Sequence, residues 1–511
     1  MTESSSILPA RYDRWKAPAE DGQILIWPPP DELLRNAQEN QRHLNSAASV
    51  LVQGVSLPQV RTALRTWLGH ANDEQPLIAT GHQAELHHPG VWVKNALINS
   101  VATRMNGRAI HFAVDTDEPK HLHLRWPGGS VALSDVEQPR AEWSGLVPAP
   151  TPAHLNDVQA SFDAAARAWN FKPMVDSFLG ILRQAAPAAP NLPAALTHAV
   201  QSLDSTLGLH HDAPLVSPMC ESEPYLLFVH HLLARADIFA ADYNTALEEF
   251  RTENKIRTPG RPMPNLKCTP DGCEVPFWLD DISAGTRTRA AVAREGGAFI
   301  LRLSTGDQFR LDPNADGWPA ASALRDFLKK NRSHLSPRAL TLTAVLRLLV
   351  ADQFVHGIGG GQYDQVLDKL ITRHFKLAAP RFAVTTATLF FPGAIGQSRI
   401  CQPCVAQEGH RLRHALLGEE KRELVSAIAS APRRSAERSL MFSKMHTRLA
   451  AARSGQLFRD WEARYQETME REKQEKVLFD RELFYAVQPR ERLEGMIAKY
   501  QEAFASGEVV A

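Results

Sequence analysis

The side chains best suited to chemistry crowd into one short segment, Leu77-Ile78-Ala79-Thr80-Gly81-His82-Gln83-Ala84-Glu85-Leu86-His87-His88-Pro89-Gly90, with Lys94 a turn further on. An apolar run that breaks at Gly81 and enters a helix near Pro89-Gly90 is expected to aim free backbone amides beyond a strand end. Such a helix N-terminus favours phosphate or carboxylate. His82, His87, His88 and Gln83 would supply donors there, Lys94 a fixed charge, and Thr80, Gly81 and Gly90 close backbone. The competing reading is a set of loop histidines that merely cap a helix. Zinc ranks third, because the spacing matches no standard ligand pattern.

A second cluster, Asp115-Thr116-Asp117-Glu118, follows the apolar run Phe112-Ala113-Val114. Carboxylates where a parallel strand stops can hold an amine, a magnesium ion or sugar hydroxyls, although a solvated turn is the commoner fate. Position favours Asp115 and Asp117, since this end and the Gly81 loop should open on the same sheet edge. The third segment, His356-Gly357-Ile358-Gly359-Gly360-Gly361-Gln362-Tyr363, is glycine-rich enough to cradle an anion. It is neither a Walker A loop nor a dinucleotide fingerprint. No Gly-x-Ser-x-Gly elbow accompanies it, so an α/β-hydrolase drops out. Cys268, Cys273, Cys401 and Cys404 form two pairs and a weak candidate for structural zinc, with isolated thiols the alternative.

These residues need a scaffold. Pro76–Ala79, a polar loop, a helix over 91–105 and a strand over 109–114 make a βαβ unit, which predicts an α/β fold with a Rossmann-like parallel sheet. Helical character dominates 1–70. The core is expected over 71–265 with a helical insertion, and again over 321–415, interrupted by a small β-rich insertion at 266–320. From 416 to 511 the pattern turns helical. Phe442, Met445, Leu449 and Ala452, then Phe458, Trp461 and Tyr465, recur at helical intervals among charges of both signs. A long amphipathic helix or helical hairpin, coiled-coil-like and suited to a homodimer, is predicted there.

Composition narrows the partners. Lysine plus arginine balance aspartate plus glutamate at 57 each, so the basic excess of a general nucleic-acid binder is missing. Small-molecule substrates are favoured over nucleic acid. The chain starts without the pattern of a signal peptide and holds no apolar run long enough for a bilayer, so a cytoplasmic protein without a membrane partner is expected.

The order of these pieces resembles one family, the cysteine-adding enzymes of bacillithiol synthesis. Thr80-Gly81-His82-Gln83-Ala84-Glu85-Leu86, Pro89-Gly90 and Lys94 are similar to its Thr-Gly-Gln-Gln-Ala-Gly-Leu…Gly-Pro…Lys signature. Ile110 to Glu118 resembles its acidic-ended strand, and Leu335 to Leu340 its Ser-Pro segment. His356 to Tyr363 resembles its later glycine-rich motif, and Pro380-Arg381 to Pro392 continues the match. His82 replaces the family's first glutamine, and the later loop lacks its proline and acidic residue. The resemblance implies a nucleotidyltransferase-like Rossmann core and a coiled-coil dimerisation element. It further implies a carbon–nitrogen ligase that joins cysteine to an amino-sugar conjugate as an amide. ATP with Mg would then activate the carboxyl group. In that reading His82, Gln83, Lys94, Asp115 and Asp117 are catalytic, while Thr80, Gly81, His87, His88, Gly90, His356, Gly357, Gly359, Gly360 and Tyr363 bind substrate or nucleotide. An adenylate-forming enzyme or nucleotidyltransferase with another acceptor, and a non-catalytic dimeric scaffold, are the alternatives.

Overall fold

The computed structural model describes residues 15–70, 74–136, 139–258, 260–394, 402–416, 418–475 and 477–505. The described elements begin with β1 (Ile24–Trp27), α1 (Pro30–Asn45), β2 (Leu51–Val52), β3 (Val55–Ser56) and α2 (Leu57–Trp67). Next come β4 (Leu77–Gln83), α3 (Pro89–Arg104), β5 (Arg108–Val114), β6 (His123–Trp126) and β7 (Gly129–Ala132). A helical stretch follows: α4 (Pro152–Ala166), α5 (Val175–Ala185), α6 (Leu192–Thr206), α7 (Val216–Met219), α8 (Glu223–Leu233) and α9 (Ala236–Glu253). Then the chain turns to strands, β8 (Cys268–Thr269), β9 (Gly272–Asp281), β10 (Thr286–Glu295), β11 (Ala298–Arg302) and β12 (Gln308–Leu311). It continues through α10 (Gly317–Lys330), β13 (Ser333–Pro337), α11 (Ala339–Val345), β14 (Gln353–His356), α12 (Ile358–His374) and β15 (Phe382–Ala387). Helices α13 (Gln402–Leu416), α14 (Gly418–Ser430), α15 (Ala436–Arg453), α16 (Gln456–Glu475) and α17 (Arg490–Ala505) complete it.

The fold is mixed α/β. Its first sheet has the order β1-β15-β14-β4-β5, in which the last four strands are parallel and β1 is an antiparallel edge. Leu77, Ile78, Ala79, Ile110, Phe112, Val355, Ala383 and Val384 are all buried, as strands covered on both faces must be. From β4 the chain crosses through α3 to β5 on one side, and from β14 through α12 to β15 on the other. Strand order therefore reverses between β4 and β14, and right-handed crossovers send α3 and α12 to opposite faces. In open α/β sheets a ligand crevice forms at such a reversal, beyond the carboxyl ends of the strands.

The opposite, amino end of the same strands is clamped by charge. Leucine and valine positions bury one face of α2, and the same face carries Arg61 and Arg65 inward, both fully buried. Both pair with Asp352, Arg65 Nη2 at 2.7 Å from its Oδ2, and Asp352 also accepts the amide of Leu77 at 2.8 Å. The guanidiniums donate to the carbonyls of Leu348, Val350 and Ala351 as well, where α11 runs into a π-turn whose oxygens lack helical partners.

A second sheet, β12-β11-β10-β9-β13 with β8 on β9, is antiparallel throughout. The expected small insertion over 266–320 is thus a larger body that runs on to Pro337, and the Ser-Pro segment forms its β13 rather than part of the parallel core. Cys268 and Cys273 form a disulfide across the β8–β9 turn. They are therefore not free to bind zinc, and Cys401 and the side chain of Cys404 lie outside the described residues.

Two compact units emerge. Among the described residues the first takes 15–125, 129–389 and 481–505. It includes β1 and α17, which the 1–70 and 416–511 boundaries had set apart from the core. The second comprises Trp126–Gly128 and Phe390–Asp480. Within it the expected long helix is divided into α13 to α16, interrupted near Pro432 and Gly455 where helix geometry is hard to maintain. Phe458 and Trp461 are buried there, and Trp461 Nε1 donates to the Val405 carbonyl at 2.9 Å. Leu440, Phe442 and Leu457 are exposed. Among the described residues no helix is long and apolar enough to cross a membrane.

Candidate active site

Strand β4 does not stop at Gly81. It pairs in register with β5 as far as Gln83 opposite Val114, so Thr80 to Gln83 are strand residues and the expected polar loop begins only at Ala84. Thr80 is fully buried and donates from Oγ1 to the Val355 carbonyl at 2.7 Å, which fastens β4 to β14. It is a structural residue. Gly81 leaves room for close packing, since a Cβ there would meet the Phe112 carbonyl oxygen at 3.2 Å. Its own carbonyl accepts a hydrogen bond from Lys94 Nζ at 2.7 Å.

The N-terminus of α3 is not an open anion cradle. His88 caps it, its Nδ1 accepting the Gly90 amide at 3.1 Å. A Cβ on Gly90 would lie 2.7 Å from both Arg481 Nη2 and Thr386 Oγ1. Gly90 is thus a close-packing residue under the end of β15, and the phosphate site expected from the sequence is occupied by protein.

Ionisable groups concentrate beside this point. His82 keeps 29% of its side chain exposed, with Nδ1 3.4 Å from Glu85 Oε1. Glu85 is buried, and that burial pushes its carboxyl up to about 7, against the pull of Lys120 and Lys94 and with the help of Asp117. Lys94, also buried, is brought down to about 7 by desolvation, which Glu85 partly offsets. His82 is shifted well down by desolvation and then by Lys94. Burial lowers His87 to about 3, and burial with Arg481 lowers His88 to about 4. The three imidazoles are therefore neutral near pH 7, while a carboxyl and an amine are each poised to gain or lose a proton. Proton transfer works best from groups so matched to ambient pH.

Next to them opens a cleft of about 880 Å³, lined among others by Gln83, Asp117, Glu118, Lys120, Arg140, Glu142, Trp278 and Arg287. Gln83 Nε2 donates to Asp117 Oδ2 at 3.0 Å, so two expected site residues do meet. The second sheet supplies the far wall. Arg287 forks onto Asp280 at 2.6 and 2.9 Å, donates to the Thr116 carbonyl at 2.6 Å, and lies over the rings of Trp143 and Trp278. The lining carries three carboxylates and three cations, a balance suited to a zwitterion.

Other expected residues serve structure. Asp115 is buried and accepts from both the amide and the hydroxyl of Ser217, which ties the start of α7 to the end of β5. It has no part in the cleft. His356 turns inward, its ring packed on Phe354 and Phe382 and its Nε2 3.0 Å from Asp364 Oδ2, which also pairs with Arg347. It does not wall the crevice. Gly357 caps α12 at the end of β14, and Gly359, Gly360 and Tyr363 are exposed on its first turns. No group of three or more metal-ligating side chains is arranged for an ion among the described residues. Glu85, Trp278 and Arg287 were not singled out from the sequence. Glu85 sat inside the motif, but only its burial distinguishes it from a solvated loop carboxylate.

Compared with protein-family models and with curated proteins, the chain matches none.

Proposed function

We propose that this protein is a carbon–nitrogen ligase which joins cysteine to the amine of an amino-sugar conjugate, with its chemistry at the carboxyl ends of β4 and β5. The observation that carries this reading is the burial of both Glu85 and Lys94 at the carboxyl end of β4, beside a cleft of balanced charge, where desolvation brings each to about 7. Such a cleft suits an amino acid and a zwitterionic amine better than a triphosphate alone. The motif order shared with the cysteine-adding enzymes of bacillithiol synthesis points the same way, and the parallel order β15-β14-β4-β5 supports a Rossmann-like, nucleotidyltransferase-related core.

In this reaction the amine nitrogen attacks an activated cysteinyl carbonyl. The C–N bond forms, the bond to the leaving phosphate or nucleotide breaks, and the amine proton passes to Glu85 in its ionised form, which is populated near and above pH 7. Lys94 in its charged form and the His82 ring stabilise charge on the carbonyl oxygen and leaving group. Gln83 and Asp117 orient the attacking amine. ATP with magnesium is the activating pair. Exposed Leu440, Phe442 and Leu457 support a homodimer through the helices of the second unit. The test is mass-spectrometric turnover of the purified chain with cysteine, magnesium and a panel of amino-sugar conjugates, with and without ATP. A cysteinyl adduct that needs ATP is the expected outcome. ATP consumption with pyrophosphate release, but with no need for cysteine, would instead assign an adenylate-forming enzyme with another acceptor.

A further inference from the structure

Behind Glu85, away from the cleft, lies a small cavity of about 20 Å³ lined by Glu85, His87, Asn95, His111, Thr197 and His211, with Leu196 and Val200 closing it. Five buried polar atoms of these residues lack a hydrogen-bond partner among the described residues: Glu85 Oε2, His87 Nδ1, His111 Nε2, Thr197 Oγ1 and His211 Nδ1. Polar atoms left unpaired in a protein interior carry their full desolvation cost. A space of this size takes one water molecule, which needs roughly 10–15 Å³ and two to four polar partners.

The neighbouring hydrogen bonds decide what the cavity can accept. His87 Nε2 lies 3.0 Å from the Gln83 carbonyl, which can only accept, so Nε2 bears the hydrogen and Nδ1 presents a lone pair. Asn95 Nδ2 donates to Asp204 Oδ2 at 2.8 Å, while Trp92 Nε1 and Tyr485 Oη hold the other oxygen at 2.8 and 2.9 Å. That orients the Asn95 oxygen towards His111 Nδ1, 2.6 Å away, so His111 too turns a lone pair, at Nε2, to the cavity. Protonating either ring is opposed by burial, which shifts both imidazoles far down. Two fixed acceptors therefore face one space and call for a ligand with two hydrogens to give.

We propose that this cavity binds a single water molecule that donates to His87 Nδ1 and His111 Nε2 and accepts from Glu85 in its carboxylic-acid form. With both its hydrogens committed to the imidazoles, the water has only lone pairs for Glu85. It favours the protonated carboxyl on the cavity side while Oε1 faces His82. His87 and His111 are thereby positioning residues for the proton of Glu85. The other groups facing that carboxyl are Lys94 from α3, Lys120 and Asp117 beyond β5, and His82 from β4; the lysines oppose the acid form, and burial and Asp117 favour it. Ammonium fits the same lone pairs, but its positive charge and spare hydrogens would favour the carboxylate instead.

The test uses the full-length protein. A high-resolution crystal structure should show one density peak about 2.7–3.2 Å from His87 Nδ1, His111 Nε2 and Glu85 Oε2. Titration of the Glu85 carboxyl by ¹³C NMR should then separate two substitutions. His111→Leu frees a water hydrogen for the carboxylate and should make Glu85 about tenfold easier to ionise; His111→Gln keeps an acceptor and should titrate like the wild type. An unchanged or raised titration midpoint in folded His111→Leu would overturn the proposal. If that variant does not fold, the wild-type crystal structure and a salt comparison still decide. Equal melting temperatures in ammonium chloride and sodium chloride support water. A rise specific to ammonium, a peak near 2.1 Å from the nitrogens, or no peak would each overturn it.

Discussion

The two ends of the parallel sheet bury comparable amounts of ionisable chemistry and treat it in opposite ways. At the amino end, Arg61 and Arg65 share Asp352, and strand amides and helix carbonyls surround all three. Each buried charge faces its opposite. At the carboxyl end, Lys94 leans on a carbonyl, Glu85 faces a neutral ring, and the imidazoles present lone pairs to a cavity. There desolvation is met by shifted proton affinity rather than by pairing. Burial alone therefore does not mark a functional carboxylate. What distinguishes Glu85 from Asp352 is that its charge is not compensated.

The largest effect is expected at the amino end. Asp352→Ala strands two buried guanidiniums and should cost about 3–5 kcal/mol of stability in chemical denaturation, while any folded fraction keeps its activity. Loss of activity without loss of stability would reverse the roles assigned to the two ends. At the carboxyl end, Glu85→Gln should cut turnover of the proposed reaction by about 10²–10⁴-fold with the fold intact.

Stability should respond in the other direction. Because the Glu85 carboxyl is raised to about 7 from an ordinary 4.5, its ionisation weakens the native state progressively as pH climbs from about 4.5 to about 7. Glu85→Gln should therefore stabilise the protein at pH 8 and not at pH 4. Lys94 mirrors it. Its folded value near 7 lies below the ordinary 10.5, so burial of its charge penalises the native state below pH 7, and the penalty fades as pH rises towards 10.5. Lys94→Met should show its largest gain in melting temperature at pH 6, shrinking by pH 10. A gain that ignores pH in either variant would mean the group is paired after all. The smallest effect is expected at Asp115: Asp115→Asn keeps one acceptor for Ser217, so about 1 kcal/mol of stability and little activity should be lost.

Much of this carboxyl end was legible in the sequence. The apolar run before Thr80, the helix with Lys94 and the second strand through Val114 placed the βαβ unit, because apolar periodicity and strand-helix alternation report burial directly. Parallel strands that open on one edge bring the ends of β4 and β5 together, and Gln83 and Asp117 hydrogen-bond there. The extent of β4 was misjudged, since His82 and Gln83 look like loop residues until β5 pairs with them. Asp115 and His356 were misread because their buried partners, Ser217 and Asp364, come from segments whose approach no local pattern announces. The same holds for Glu85, which shares its small cavity with His111 and His211 from elsewhere in the chain. Trp278 and Arg287 belong to a sheet whose contact with the strand ends is a tertiary fact.

The most direct test of the account is the pH dependence of turnover in the wild type beside Glu85→Gln, followed as cysteinyl adduct by mass spectrometry. The expected result is a wild-type rate governed by a group titrating near pH 7, and a Gln variant that is slow and has lost that dependence. A Glu85→Gln enzyme with the wild-type rate and the same titration would contradict the placement of the chemistry at this end of the sheet.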